Sequence, residues 1–275
     1  MNNSVYKEDI DEILSHRYDN GYDFFTTKDM KLLKGSPFTT LDSAMYLLEL
    51  GVSADDDFLK NISNLIFSTW REDGRFKTSP TGGIYPCQTA FAFNCLCRLG
   101  YSKDDRMQKT LKYFIDTQEN DGGWKCKKYS YGRGEETNYS TPITTLLVLD
   151  ALRFLDFENK ESITTPAVKF LLHHWEIKIP ISPCHYGIGT LFNKIEYPFR
   201  GYNLFYYVYV LSFYKYARED SRFLEAFNTL KSKTVNGQIL VERNVPKLSK
   251  LNFCKKGDVS ELATKRYNEI KKNLM

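Results

Sequence analysis

The fold is decided by two stretches of the sequence, SPFTTLDSAMYLLELG at 36–51 and YPCQTAFAFNCLCRLG at 85–100. Each stretch has proline at its second position, glycine at its last position and mostly apolar residues between them. Proline suits the first turn of a helix, and glycine suits the left-handed conformation just after the last turn. Because a helix that is apolar nearly all round is buried, each stretch predicts one interior helix.

An amphipathic stretch follows each interior helix after an acidic turn. FLKNISNLIFSTW directly follows VSADDD, and MQKTLKYFIDTQ directly follows YSKDDR. Carboxylates at these positions would cap the free N–H groups of a second helix and oppose its dipole. Both stretches end in a glycine turn, and the distances agree, since Asp57 lies 16 residues before Asp73 and Asp105 lies 16 residues before Asp121. The chain is therefore expected to repeat a pair made of one inner and one outer helix.

The repeat continues through most of the chain. A third inner helix is predicted within 139–155 and its outer helix within 164–177, and the fourth inner helix is predicted within 197–217. A helix precedes the first pair, and a short one is expected at 259–273. We predict an all-α fold whose pairs form an α/α toroid, either open on one side or closed by the C-terminal tail or by a second copy of the chain. The repeat domain would span 1–245, in units of about 1–35, 36–84, 85–138, 139–196 and 197–245, with a basic tail at 246–275.

The turn that ends the second pair, FIDTQENDGGW at 114–124, contains Gln118, Gly122 and Trp124. This spacing resembles the QW motif of the squalene cyclase and protein prenyltransferase repeat families, and the wider repeat is similar to stand-alone squalene-cyclase-like proteins. Glycine permits the tight turn and tryptophan packs back on the helix, so the three residues are expected to be structural. The resemblance implies the α/α toroid of terpenoid cyclases and prenyltransferases, with a central pocket for an apolar, isoprenoid ligand.

The catalytic patterns of those families do not carry over to this sequence. Asp55-Asp56-Asp57 lacks the first carboxylate of the DxDD motif. Asp104-Asp105 could begin a DDxxD motif, but Gln108 stands where its third aspartate would be. Tyr85 stands where the zinc-binding aspartate of the prenyltransferases would lie, two residues before Cys87. No catalytic residue is therefore assigned, and whether the protein is an enzyme stays open.

Four residues could form a zinc site, namely Cys87, Cys126, Cys184 and His185. Cys87 begins an inner helix, and the other three lie in loops that lead toward later inner helices. In a toroid such positions share one rim, where sulfur and nitrogen ligands would suit zinc. Lanthipeptide cyclases, which are also α/α toroids, hold zinc in such a mouth, an analogy at the level of the fold. The alternative is three unrelated thiols and a surface histidine.

The fourth inner helix is rich in aromatic residues, which predicts a ligand pocket lined by Tyr202, Phe205, Tyr206 and Tyr209. Their ring faces would suit an isoprenoid chain or a developing carbocation, and Arg200 at the start of the helix could hold a diphosphate. The alternative is that these rings fill a wide core.

Composition and charge narrow the function classes. The net charge of +4 arises from 38 basic and 34 acidic residues that are interspersed, so nucleic-acid binding is not expected. The first residues lack the apolar core of a secretory signal, and no window approaches the roughly 20 apolar residues of a membrane span, so we expect a cytoplasmic protein with six reduced cysteines. The expected partner is a small apolar molecule or a peptide. The alternatives are a non-catalytic protein-binding repeat module and zinc-dependent thiol chemistry on a peptide.

Overall fold

A computed structural model describes residues 5–275, and the regular structure within that range is helical, with no strand. The α-helices are α1 Lys7–Ser15, α2 Thr40–Glu49, α3 Asp57–Phe67, α4 Pro86–Arg98, α5 Asp105–Asp116, α6 Glu135–Asn138, α7 Pro142–Leu152, α8 Lys160–Ile177, α9 Leu204–Leu211, α10 Lys215–Arg218, α11 Ser221–Ser232 and α12 Glu261–Leu274. Short 3-10 turns form at Pro246–Leu248 and Asn252–Cys254. The predicted all-α fold is confirmed. None of the helices in the described range has both the length and the apolar character needed to cross a membrane.

The two inner helices that the sequence marks by proline and glycine differ in where they begin. Helix α4 begins at Pro86, as predicted, whereas α2 begins at Thr40 rather than near Pro37. The reason is a local cap, since the side-chain oxygen of Thr39 accepts a hydrogen bond from the backbone N–H of Asp42 at 3.1 Å. After both helices the chain turns through glycine in the left-handed region, as predicted from the C-cap pattern.

The fourth inner helix is shorter than the sequence suggests. The aromatic stretch at 197–217 is divided into a loop, helix α9 and the single turn α10. Helix α9 begins at Leu204 because the side chain of Asn203 accepts a hydrogen bond from the backbone N–H of Tyr206 at 3.0 Å. The prediction that Arg200 stands at the start of this helix is therefore wrong, and Arg200 and Tyr202 belong to the preceding loop.

The amphipathic helices α3, α5 and α11 begin at acidic caps, and the outer helices pack on the buried ones. Asp56, Asp104 and Asp220 each accept a hydrogen bond at 2.9 Å from the backbone N–H two residues later. Helix α3 packs on α2, α5 on α4, α8 on α7, and α11 on both α9 and α8. The predicted pairing of inner with outer helices therefore describes how these elements contact one another.

The QW turn joins the second helix pair to the third. The side-chain amide of Gln118 donates to the carbonyl oxygens of Gly122 at 2.7 Å and of Ile163 in α8 at 2.8 Å. Gly122 has a φ of +88°, and a Cβ placed there would lie 2.3 Å from the carbonyl oxygen of Pro166. Trp124 is 1% exposed and its indole N–H donates to the carbonyl oxygen of Phe114 at 2.8 Å. Only glycine permits this close approach of the turn to α8.

The C-terminal segment packs against the beginning of the chain. The inner helices α2, α4, α7 and α9 contact one another in that order, and α12 contacts α9. Arg266 of α12 pairs with Glu49 of α2 at 2.7 Å, and Asp9 of α1 accepts hydrogen bonds from the backbone N–H groups of Asn252 and Phe253. Residues 246–275 thus lie against α1, α2 and α9 rather than forming a solvated tail. The α/α toroid itself stays a prediction.

Candidate functional site

A pocket of about 450 Å³ lies between α2, α4, α7, α9 and the loop before α9; we call it the inner-helix pocket. Its apolar wall is formed by Met45, Phe91, Ile143, Leu147 and Phe199. Its polar side chains are Asp42, Tyr46, Glu49, Asn94, Arg98, Glu196, Arg200, Tyr206 and Arg243. Ligand sites in proteins commonly combine an apolar wall with a small set of polar groups in this way.

Three residues that line the pocket, Asn94, Arg98 and Tyr206, bond to the buried carboxylate of Asp150, which is not itself part of the lining. The carboxylate of Asp150 is fully buried and accepts from Arg98 at 2.6 Å and from Arg153 at 2.7 Å. The hydroxyl of Tyr206 donates to it at 2.6 Å, and the amide of Asn94 donates at 2.9 Å. Burial alone would raise the pKa of Asp150, but the two guanidinium groups outweigh it and lower the pKa to about 2. This carboxylate is therefore ionised, and it holds Arg98 and Tyr206 in place along the pocket.

The pocket lining also contains two carboxylates that are paired with arginine, those of Asp42 and Glu196. Asp42 accepts from the hydroxyl of Thr39 at 2.7 Å and lies 3.4 Å from Nε of Arg200. Glu196 lies 3.3 Å from Nη1 of Arg243. Burial raises the pKa of both carboxyl groups, and the neighbouring arginines only partly offset this effect. These groups can therefore take up a proton more readily than ordinary carboxylates.

A second pocket, of about 460 Å³, brings together Cys87, Cys126 and Cys184; we call it the thiol pocket. The three cysteines come from the first turn of α4, the loop after Trp124 and the loop after α8. The sulfur atoms of Cys126 and Cys184 are 3.5 Å apart. Ile143 lines both pockets, so the thiol pocket adjoins the inner-helix pocket.

The electrostatics of the thiol pocket favour a single thiolate on Cys126. Hydrogen bonding from the Cys87 thiol is the largest cause that lowers the pKa of Cys126, and the backbone N–H of Lys128, at 3.4 Å from the sulfur, adds to it. The same interaction raises the pKa of Cys87, and burial together with Cys126 raises the pKa of Cys184. One sulfur therefore carries the negative charge that its two neighbours stabilise.

The fourth predicted metal ligand lies apart from the three thiols. His185 is exposed, has a φ of +52° and does not line the thiol pocket. Among residues 5–275, no group of three or more histidine, cysteine, aspartate and glutamate side chains is placed so that it could hold a metal ion. The structure thus brings three of the four predicted residues together and leaves the histidine outside.

The predicted aromatic pocket is divided in a similar way. Tyr206 and Arg200 line the inner-helix pocket. The hydroxyl of Tyr202 instead contacts Nδ1 of His174 at 2.9 Å, and the hydroxyl of Tyr209 donates to Glu269 at 2.9 Å. Phe205 is fully buried and packs on Phe199 with ring centroids 4.9 Å apart. The rings of Tyr202, Phe205 and Tyr209 therefore pack inside the protein and do not line the pocket.

Sequence reasoning missed the polar residues that the inner helices bring to the pocket. Asp42 and Glu49 lie on α2, and Asn94 and Arg98 lie on α4. The sequence did contain a signal for these residues, namely a polar or charged residue inside an otherwise apolar helix. Such a residue indicates a buried polar contact, because polar groups are buried only when they are paired.

The sequence matches no protein-family model and no curated protein. The likeness to QW-motif proteins therefore rests on Gln118, Gly122, Trp124 and the surrounding repeat. Function has to be inferred from the geometry of the two pockets.

Proposed function

We propose that this protein binds a small, largely apolar ligand of the isoprenoid type in the inner-helix pocket. The observation that carries the proposal is a cavity of about 450 Å³ that stays open between helices whose other side chains are closely packed. Met45, Phe91 and Leu147 supply apolar surface on three different helices, and polar groups converge at the same cavity. The wall suits a branched hydrocarbon chain, because transfer of such a chain from water to an apolar surface is favourable.

The alternative of a non-catalytic protein-binding repeat module is less well supported. Such a module would need a filled interior and an exposed apolar surface for its partner. The largest rings of the fourth inner helix are buried, yet they leave the inner-helix pocket open. The open pocket therefore favours a small-molecule ligand.

The pocket can be tested with three ten-carbon probes: geraniol, its hydrocarbon counterpart 2,6-dimethyl-2,6-octadiene, and geranyl diphosphate. We expect at least one of them to bind more tightly than about 100 µM in isothermal titration calorimetry. Leu147→Trp should weaken that binding by about tenfold or more, because the indole would occupy the cavity. Leu224→Trp is the matched control, since Leu224 is 40% exposed on α11 outside the pocket. Binding that survives Leu147→Trp unchanged would place the ligand elsewhere.

A second candidate function, zinc-assisted chemistry at the thiol pocket, is favoured by the convergence of the three cysteines. Two sulfurs bound to one tetrahedral zinc lie about 3.8 Å apart, given Zn–S distances of about 2.3 Å. The separation of 3.5 Å between Cys126 and Cys184 is close to that value. Cys87, Cys126 and Cys184 are free thiols, so they are available to bind a metal ion.

We propose that Cys87, Cys126 and Cys184 would hold the zinc ion, without His185. Zinc held by three protein ligands keeps one open position, where it would activate a thiol or water by lowering its pKa. Thr144 lines the same pocket, and its hydroxyl is buried with no hydrogen-bond partner in the described range. This hydroxyl is available to position a group at the open site. A thiol-containing peptide would be the substrate class of this second candidate.

We expect elemental analysis of untagged protein to find about one zinc per chain. Cys87→Ser, Cys126→Ser and Cys184→Ser should each lose most of the zinc, because a hydroxyl is a poor substitute for a thiolate ligand. His185→Ala and Cys97→Ser are controls that should keep it, since His185 is exposed and Cys97 is buried away from the pocket. A zinc-free protein that also fails to take up added zinc would exclude this site.

A further inference from the structure

Tyr46 carries a buried hydroxyl that has no hydrogen-bond partner within residues 5–275. The side chain lies on α2, is 1% exposed and lines the inner-helix pocket. Asp42, Arg200 and Glu196 are among its charged neighbours. Because buried hydroxyls are nearly always paired, the unpaired oxygen points to a polar atom supplied by a bound molecule.

The arginines that line the inner-helix pocket each have a carboxylate partner already. The pairs are Arg98 with Asp150 at 2.6 Å, Arg200 with Asp42 at 3.4 Å and Arg243 with Glu196 at 3.3 Å. An anionic ligand would have to compete with that carboxylate for its arginine, and it would add negative charge beside Asp42 and Glu196. That arrangement is strongly unfavourable in a partly dehydrated site. The pocket is therefore poorly suited to the diphosphate that Arg200 could be expected to bind.

The polar groups beside Tyr46 are suited to an uncharged partner. Nη2 of Arg200 donates to the hydroxyl of Ser36 at 2.8 Å, and Asp42 accepts from Thr39, so both side chains are held in place. A tyrosine hydroxyl can donate one hydrogen bond and accept others. An alcohol or a carbonyl oxygen can pair with this hydroxyl without disturbing the charge balance of the pocket.

We propose that the inner-helix pocket recognises an apolar ligand by an uncharged, oxygen-bearing head group, an alcohol or a carbonyl, which hydrogen-bonds to the hydroxyl of Tyr46. This inference rests on the proposed ligand-binding function and specifies the chemical class of the ligand. The hydrocarbon part would lie along the apolar wall formed by Met45, Phe91 and Leu147. Discrimination among ligands with the same carbon chain then comes from the head group alone.

The three ten-carbon probes differ only at that head group, so they test the inference directly. In isothermal titration calorimetry with the whole chain, geraniol should bind at least about fivefold more tightly than the hydrocarbon or geranyl diphosphate. Tyr46→Phe keeps the ring and removes the hydroxyl, so it should weaken geraniol binding by about five- to tenfold. Binding of the hydrocarbon should change by less than about twofold. Tyr216→Phe is the control, because Tyr216 is 37% exposed and lies outside this pocket.

The outcomes separate this inference from the function on which it rests. Equal affinity for geraniol and the hydrocarbon, or tighter binding of geranyl diphosphate, would overturn the inference and leave ligand binding intact. If Tyr46→Phe binds geraniol as tightly as the wild type does, the head-group inference is also wrong, while ligand binding is not affected. If none of the three probes binds, both the inference and the proposed function are wrong.

Discussion

Replacing Asp150 with alanine is expected to lower the free energy of unfolding by about 3–5 kcal/mol. The carboxylate is fully buried and neutralises two guanidinium groups, those of Arg98 and Arg153, whose side chains are 9% and 13% exposed. Without it, two positive charges would face each other in the interior, and the hydroxyl of Tyr206 would lose its acceptor. Breaking a buried ion pair costs far more than the intact pair contributes, because an uncompensated charge remains.

Urea denaturation of the wild type and of Asp150→Ala would measure this change. Asp116→Ala is the matched control, since Asp116 pairs with Lys112 on the surface of α5, where the lysine is 75% exposed. That pair should contribute less than about 1 kcal/mol. A loss of similar size in both variants would mean that the Asp150 cluster is not a special determinant of stability. The cluster also positions Arg98, so Asp150→Ala should weaken binding at the inner-helix pocket.

Replacing Trp124 with alanine is expected to destabilise the protein by about 3–5 kcal/mol. The indole is 1% exposed, contacts the ring of Phe114 at a centroid distance of 6.1 Å, and donates to the carbonyl oxygen of that residue. Alanine would leave a cavity at the junction between the second and third helix pairs. The backbone carbonyl of Phe114 would also lose the donor that it has in the native structure.

Trp124→Phe is an intermediate change, because phenylalanine keeps one aromatic ring at the site but lacks the indole N–H and part of the indole volume. It should cost about 1–2 kcal/mol, and Tyr22→Ala, at a residue that is 51% exposed, should change stability by less than about 0.5 kcal/mol. Thermal unfolding followed by circular dichroism would rank the three variants. Equal stability of Trp124→Ala and Tyr22→Ala would show that the QW turn does not hold the helix pairs together.

The inner-helix pocket illustrates how this fold uses buried charge. Each inner helix that contributes a charged residue to the pocket region pairs it with a residue from another segment, as in Glu49 with Arg266 and Asp42 with Arg200. Buried pairs of this kind add little net stability compared with apolar packing. They do keep an interior cavity polar on one side, and this is the property on which the proposed head-group recognition depends.

The sequence by itself determined the all-α fold, the pairing of inner with outer helices and most helix ends. These features follow from signals that act within a few residues: apolar periodicity, acidic caps such as Asp104, and glycine at the C-caps. The start of α9 was also encoded locally, by the Asn203 cap, but the aromatic pattern that surrounds it is continuous and obscured it.

Only the tertiary structure decided which side chains meet in the two pockets. Asp42 and Arg200 are 158 residues apart in the chain, and Cys126 and Cys184 are 58 residues apart. Their contacts depend on the angles between inner helices and on the paths of the loops, which no local pattern specifies. His185 follows Cys184 directly in the sequence, yet a backbone turn directs it to solvent while its neighbour enters the pocket. Adjacent residues can lie on opposite sides of a loop, because the direction of each side chain is set by backbone dihedral angles that the wider packing fixes.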